Sequence, residues 1–160
     1  MPPSDATAGY PDLAARVRAA ADRLPALALD AATRVDPTLT ERYDETMFRR
    51  FLRDYYGHVS QLVTALATGE DRFVTFYGES LVPLYRRRNV RMNDVVSLLR
   101  GLEDAALAIV PAAEAEPLRT MMAAWIERMR HHRRLAGDHE GNAAARFVFK
   151  GAGLGDDTVV

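Results

Sequence analysis

Residues 38–69, TLTERYDETMFRRFLRDYYGHVSQLVTALATG, decide the fold class. Within them Phe51, Tyr55, Val59, Leu62, Val63 and Leu66 recur at spacings of three and four. That is the period of one face of an α-helix, not the alternation of a strand. Thr38 followed by Glu41 reads as a capping box, and Gly69 as a left-handed stop. The stretch predicts one amphipathic helix of roughly 28 residues. Gly57 inside it weakens the helix by ~1 kcal/mol relative to alanine, so it reads as a place where a neighbouring helix comes close.

The flanking segments repeat the pattern. Leu13, Val17 and Leu24 predict a helix that begins near Pro11 and breaks just before Pro25. Leu27, Leu29, Ala31, Ala32 and Val35 predict a short second helix ending at Asp36-Pro37. After Gly69, Phe73, Phe76, Tyr77, Leu81 and Leu84 share a helix that carries Pro83 inside it and should kink there. Asn93 is the expected N-cap of the next helix, with Asp94 in its first turn. That helix carries Val95, Leu98, Leu99, Leu102 and Ala106, and Pro111 ends it. Pro117 opens a last helix with Leu118, Met122, Trp125 and Met129, closed by Gly137.

No alternating strand pattern occurs before residue 146. The predicted fold is therefore all-α: a globin-like or helical-bundle domain of five to six helices over residues 10–137. Residues 1–9 read as a loose leader. Residues 138–160 read as an extended glycine-rich tail with apolar anchors at Phe147–Phe149 and Val159–Val160.

Composition removes several function classes. The 160 residues carry a formal net charge of -1, which argues against a globally basic nucleic-acid binder. Cysteine is absent, so disulfides, thiolate metal sites and cysteine nucleophiles are excluded. No apolar run approaches the ~18 residues of a membrane span. MPPSDATAGY shows neither a basic n-region nor an apolar h-region, and a cytoplasmic protein is expected. The phosphate-loop, dinucleotide, nucleophile-elbow and HExxH patterns are all missing. None of the four histidines has a glutamate three residues before it, which argues against a carboxylate-bridged metal centre. No catalytic residue, metal or cofactor is expected.

Binding candidates remain. The aromatic density across the two central helices suggests a pocket lined by Tyr55, His58, Phe76 and Tyr77, with phenols as polar handles. Arg86, Arg87 and Arg88 form the core of a run with a net charge of +4 over residues 84–101 and are candidates for an anion contact. Residues 126–135 form a second basic run around His131 and His132.

Ordered features point to one family. A long amphipathic helix ends in LVTALATGED, an aromatic helix ends in LVPLYRRRNV, MNDVVSLLRGLEDAALAIV follows, and Trp125 lies in the last long helix. This succession resembles the N-terminal non-haem, globin-like sensor domain of RsbR-like stressosome proteins. The resemblance implies a non-enzymatic regulatory domain that binds a small ligand or a protein partner. It implies signalling in a stress response through helix packing at a homodimer surface. In that family a STAS module usually follows; here the glycine-rich tail stands in its place, which implies a stand-alone or truncated sensor. Two alternatives stay open on the residues alone. One is a globin-like protein holding haem or another tetrapyrrole through His58. The other is an interaction or cargo-type protein that docks through its C-terminal tail.

Overall fold

The structure, a computed structural model, describes residues 9–135, the last three by their backbone alone. The leader up to residue 8, the Gly137 stop and the tail 138–160 lie outside the described residues. Among the described residues every regular element is helical. The helices are α1 (Pro11–Ala19), α2 (Leu24–Val35), α3 (Leu39–Arg42), α4 (Glu45–Thr68), α5 (Arg72–Arg87), α6 (Met92–Ala108) and α7 (Glu116–Leu135), with one 3-10 turn at Ala112–Glu114. The all-α reading holds, and the described residues form seven α-helices where five or six were expected.

α4 is the central element. It packs on α1, α2, α5 and α7, while α6 packs on α2 and α7. Its buried residues include Phe51, Tyr55, His58, Val59, Leu62 and Leu66, which continue the apolar face read from the sequence. Gly69 ends it at φ +73, a left-handed conformation that side chains resist, and its N–H closes on Ala65 O at 2.8 Å. α5 and α7 run side by side in the same direction. Asp71 and Arg72 line one hollow together with Glu116 and Thr120 at one end, and further along Glu79 meets Arg128 and His132.

Three boundaries differ from expectation. The long helix does not begin at Thr38. Thr38 hydrogen-bonds Asp36 instead of capping a helix, and Tyr43 is extended at φ -128, ψ 140. The helix restarts with Asp44 as its cap, whose carboxylate accepts the N–H of Met47 at 2.8 Å. The next helix starts at Met92, so Asn93 lies inside it rather than capping it; Asp94 N–H already bonds Arg91 O at 2.9 Å. The break between α1 and α2 falls over residues 20–23, and Pro25 sits in the first turn of α2, where its missing N–H costs nothing.

One long-range cluster explains the first two differences. Asp94 is fully buried. Arg42 grips it with Nη2 at 2.8 Å and Nε at 3.2 Å, and the same Nη2 reaches Asp36 at 2.7 Å. Tyr43 donates its hydroxyl to Asp94 at 2.5 Å and accepts the backbone N–H of Arg91 at 3.2 Å. A buried carboxylate must be paired and hydrogen-bonded. Pulling Tyr43 across to Asp94 forces the extended backbone that splits α3 from α4. Burial, reinforced by Asp94, pushes the Tyr43 phenol above its usual range, and hydrogen bonds from Thr38 and Arg42 outweigh burial to hold Asp36 low.

α2 and α6 approach closely because both present small residues. Ala28, Ala31 and Ala32 of α2 are buried, and the α6 residue against them is Gly101. A Cβ on Gly101 would stand 2.5 Å from Ala28 O and 2.6 Å from Ala32 N, both backbone atoms that cannot step aside. Gly101→Ala should therefore lower stability by about 2 kcal/mol despite a helix-propensity gain of ~1 kcal/mol. Chemical denaturation reads this as a lower midpoint, and an unchanged or higher midpoint would refute the packing. Gly57→Ala is the control. Its Cβ would meet only the end of the Tyr77 side chain, at 2.9 Å, so the bundle should stay folded.

Candidate functional site

The centre of the bundle is not purely apolar. His58 projects from the core face of α4 and is 1% exposed. Its Nδ1 lies 2.9 Å from Tyr77 Oη, and its Nε2 lies 3.1 Å from Tyr85 Oη, both tyrosines coming from α5. Trp125 of α7 sets its ring edge-to-face against the imidazole, with centroids 5.5 Å apart, and against Tyr77 at 5.8 Å. Tyr55, one turn before His58, packs edge-on at 5.7 Å. The Tyr55 hydroxyl donates to Leu98 O of α6 at 2.7 Å. Asp54 and Arg88 close the outer side with an ion pair at 2.7 Å.

Local sequence makes this arrangement possible. His58 lies four residues after Asp54 and three after Tyr55, so the imidazole falls between the carboxylate and the phenol on the helix surface and can neighbour both. Gly78 leaves room for Trp125, whose Nε1 would lie 3.0 Å from a Cβ there. Gly57 leaves room for the Tyr77 hydroxyl.

Burial governs the acid–base behaviour. It drives the His58 pKa down from 6.5 to about 3, so the imidazole is neutral at physiological pH. Burial, helped by the Asp54 charge, pushes Tyr77 up to about 12. Burial also raises Tyr55 and Tyr85, the latter with Asp54 adding to the effect. Burial thus favours the neutral form of His58 and of all three phenols.

The sequence-predicted pocket set divides. Tyr55, His58 and Tyr77 come together, but they fill the space among themselves rather than line a cavity. Phe76 does not join them. It is 65% exposed on the outer face of α5, because consecutive helical residues point about 100° apart and Tyr77 takes the inward direction. The same geometry disperses the anion candidates. Arg88 turns to Asp54, Arg87 is exposed, and Arg86 is half-buried on another side, so the three do not converge on one ligand. Tyr85, Asp54 and Trp125 complete the site. The Asp54–His58 spacing of four was the available signal for placing Asp54 nearby; nothing local joins Trp125 to His58.

The haem alternative does not fit these residues. Both imidazole nitrogens face phenols, and Trp125 and Tyr55 pack against the ring, so an iron could reach neither nitrogen without separating α4 from α5. Among the described residues no group of three or more His, Asp and Glu side chains is assembled for a metal. No described helix is long and apolar enough to cross a membrane. Two surface hollows, of about 550 and 450 Å³, meet at Tyr10 and Pro117, and their rims carry Asp12, Glu70, Asp71, Glu114 and Glu116. Neither is lined by His58 or its partners. No family model, curated protein or solved structure matches the chain.

The buried imidazole predicts a pH dependence of stability. The unfolded chain takes up a proton at His58 near pH 6.5, while the folded chain refuses it until about pH 3. The unfolded state therefore binds more protons in between, and stability falls with falling pH across that window. The contribution is complete above about 6.5 and drains toward 3, with a slope of up to ~1.4 kcal/mol per pH unit. His58→Gln removes the titrating group while keeping a donor and an acceptor. Its denaturation free energy should show a shallower slope by up to one proton, and an identical slope in both proteins would refute the assignment.

Proposed function

We propose that this chain is a non-enzymatic regulatory domain. In this reading it binds a small ligand or a protein partner in the cytoplasm and passes the event on through altered helix packing across a homodimer surface. The resemblance to the N-terminal sensor domain of RsbR-like stressosome proteins suggests this reading. The observation that carries it is the buried polar cluster, which makes α4, α5 and α7 share one set of hydrogen bonds and ring contacts. Moving one of these helices disturbs the partners of the other two. That is the physical requirement for transmitting a surface event through a packed core. The outward-facing Phe76 offers an apolar contact for a second copy or another protein.

Native mass spectrometry of the purified full chain tests the proposal. A dimer mass is expected, with added mass wherever a ligand is retained. Phe76→Glu should weaken the dimer by about tenfold or more if that face carries the contact. A purely monomeric, unliganded species at tens of micromolar would contradict the dimer reading. A Soret band that forms on haem addition and disappears in His58→Ala would contradict the non-haem reading.

A further inference from the structure

The outer side of α4 carries charge of one sign. Arg50, Arg53, Tyr56, Gly57 and Ser60 are all exposed and recur at spacings of three and four, so they form one stripe. α5 borders that stripe, since the Tyr77 hydroxyl lies over Gly57. On α5, Phe76, Ser80 and Arg87 are exposed at spacings of four and seven, which is again one side of a helix. Arg88 reaches Asp54 of α4, and this sets Arg87 at the Arg53 end of the pair. Arg50, Arg53 and Arg87 have no ion pair among the described residues, and neither stripe contains an acid.

The other end of α4 is acidic and concave. Tyr10 donates its backbone N–H to Leu66 O at 2.7 Å and fastens the start of α1 to the last turn of α4. The hollows of about 550 and 450 Å³ open there. Glu70 and Glu114 on their rims are paired with Arg72 and Arg16. Asp12, Asp71 and Glu116 are exposed and have no ion pair among the described residues. Tyr10 stands exposed where the hollows meet. At 1.5 Å per residue, α4 rises roughly 24 Å between Arg53 and Gly69. That is well beyond the ~8 Å screening length at physiological salt, so the two ends cannot neutralise each other within one chain.

We propose that the arginine stripes of α4 and α5 dock on the acidic hollows of a second copy of this chain, head to tail. Charge selects this occupant, because unpaired arginines on one end match unpaired carboxylates on the other. Shape agrees, with a convex pair of helices set against a concave surface. Exposed rings also lie on both sides of the contact: Tyr56 and Phe76 with the arginines, and Tyr10 in the hollows, where a guanidinium can stack on it. A two-fold pairing of the stripes on themselves would bring arginines together with no acid to answer them. The head-to-tail contact is heterologous, so a pair still offers one stripe and one set of hollows, and further copies add until a ring closes. The proposal rests on the self-association in the regulatory reading and gives it a mode.

Sedimentation velocity of the purified full chain tests it, with folding of each variant checked by circular dichroism. Wild-type association should weaken as salt is raised from about 50 to about 500 mM. Arg50→Glu with Arg53→Glu should weaken it by about tenfold or more, and so should Asp71→Arg with Glu116→Arg. Mixing the two variants should restore association, because each brings the charge that the other's altered surface now needs. A mixture that stays monomeric would overturn the proposal, as would variants that both associate like wild type. Loss in the arginine variant alone would mean symmetrical pairing of the stripes; it overturns the head-to-tail contact and leaves the homodimer reading standing. A monomeric wild-type chain overturns both. Should the reversed acidic end not fold, Asp71→Asn with Glu116→Gln should weaken association in the same direction, and unchanged association there would overturn the proposal.

Discussion

A neutral imidazole held between two phenols in the middle of the bundle is the constraint on which the helix arrangement depends. Apolar stripes alone fix a helical bundle only loosely, since many registers bury similar area. A buried polar group left without its partner costs roughly 1–3 kcal/mol. His58, Tyr77 and Tyr85 each lose a partner if α4 slides against α5. Trp125 extends the same restriction to α7 through ring packing, and Tyr55 extends it to α6 through Leu98 O. One turn of α4 thus specifies the positions of three other helices.

A second polar anchor works independently of the first. Asp94, Arg42, Tyr43 and Asp36 tie the start of α6 to the connection between α2 and α4. That cluster decides chain geometry at a corner, where Tyr43 leaves helical conformation to reach Asp94. The His58 cluster decides the register of long helices. The α2–α6 contact needs neither, because Gly101 and the alanines facing it let the two backbones approach directly. In the regulatory reading this division matters: the α4–α5–α7 group is the part whose rearrangement breaks specific bonds and therefore has discrete settings.

Much of the fold was legible from periodicity. Phe51, Tyr55, Val59, Leu62 and Leu66 announced α4, and Gly69 announced its end. What failed was local reading at places where distant residues intervene. Thr38 and Glu41 have capping-box spacing, but Asp36 claims the Thr38 side chain and Asp94 claims Tyr43. Asn93 has the right chemistry for an N-cap, yet Asp94 one residue on is anchored in the interior and draws the helix start to Met92. At the site, Tyr55 and His58 share a helix face and their rings meet at 5.7 Å. Phe76 and Tyr77, being consecutive, cannot share one, and the same holds for Arg86, Arg87 and Arg88. Helical geometry applied to those residues separates them without any coordinates. The meeting of His58 with Trp125, 67 positions apart in sequence, has no local signature.

The central claim is that His58 makes α4, α5 and α7 one cooperative unit. Backbone hydrogen exchange, compared between the wild-type chain and His58→Leu, tests it most directly, because leucine fills the space but leaves both phenols without their partner. The account predicts a joint loss of protection along α4, α5 and α7, with the α2–α6 pair little changed. Loss confined to the α4 turn around residue 58, or no loss in any of the three helices, would contradict it.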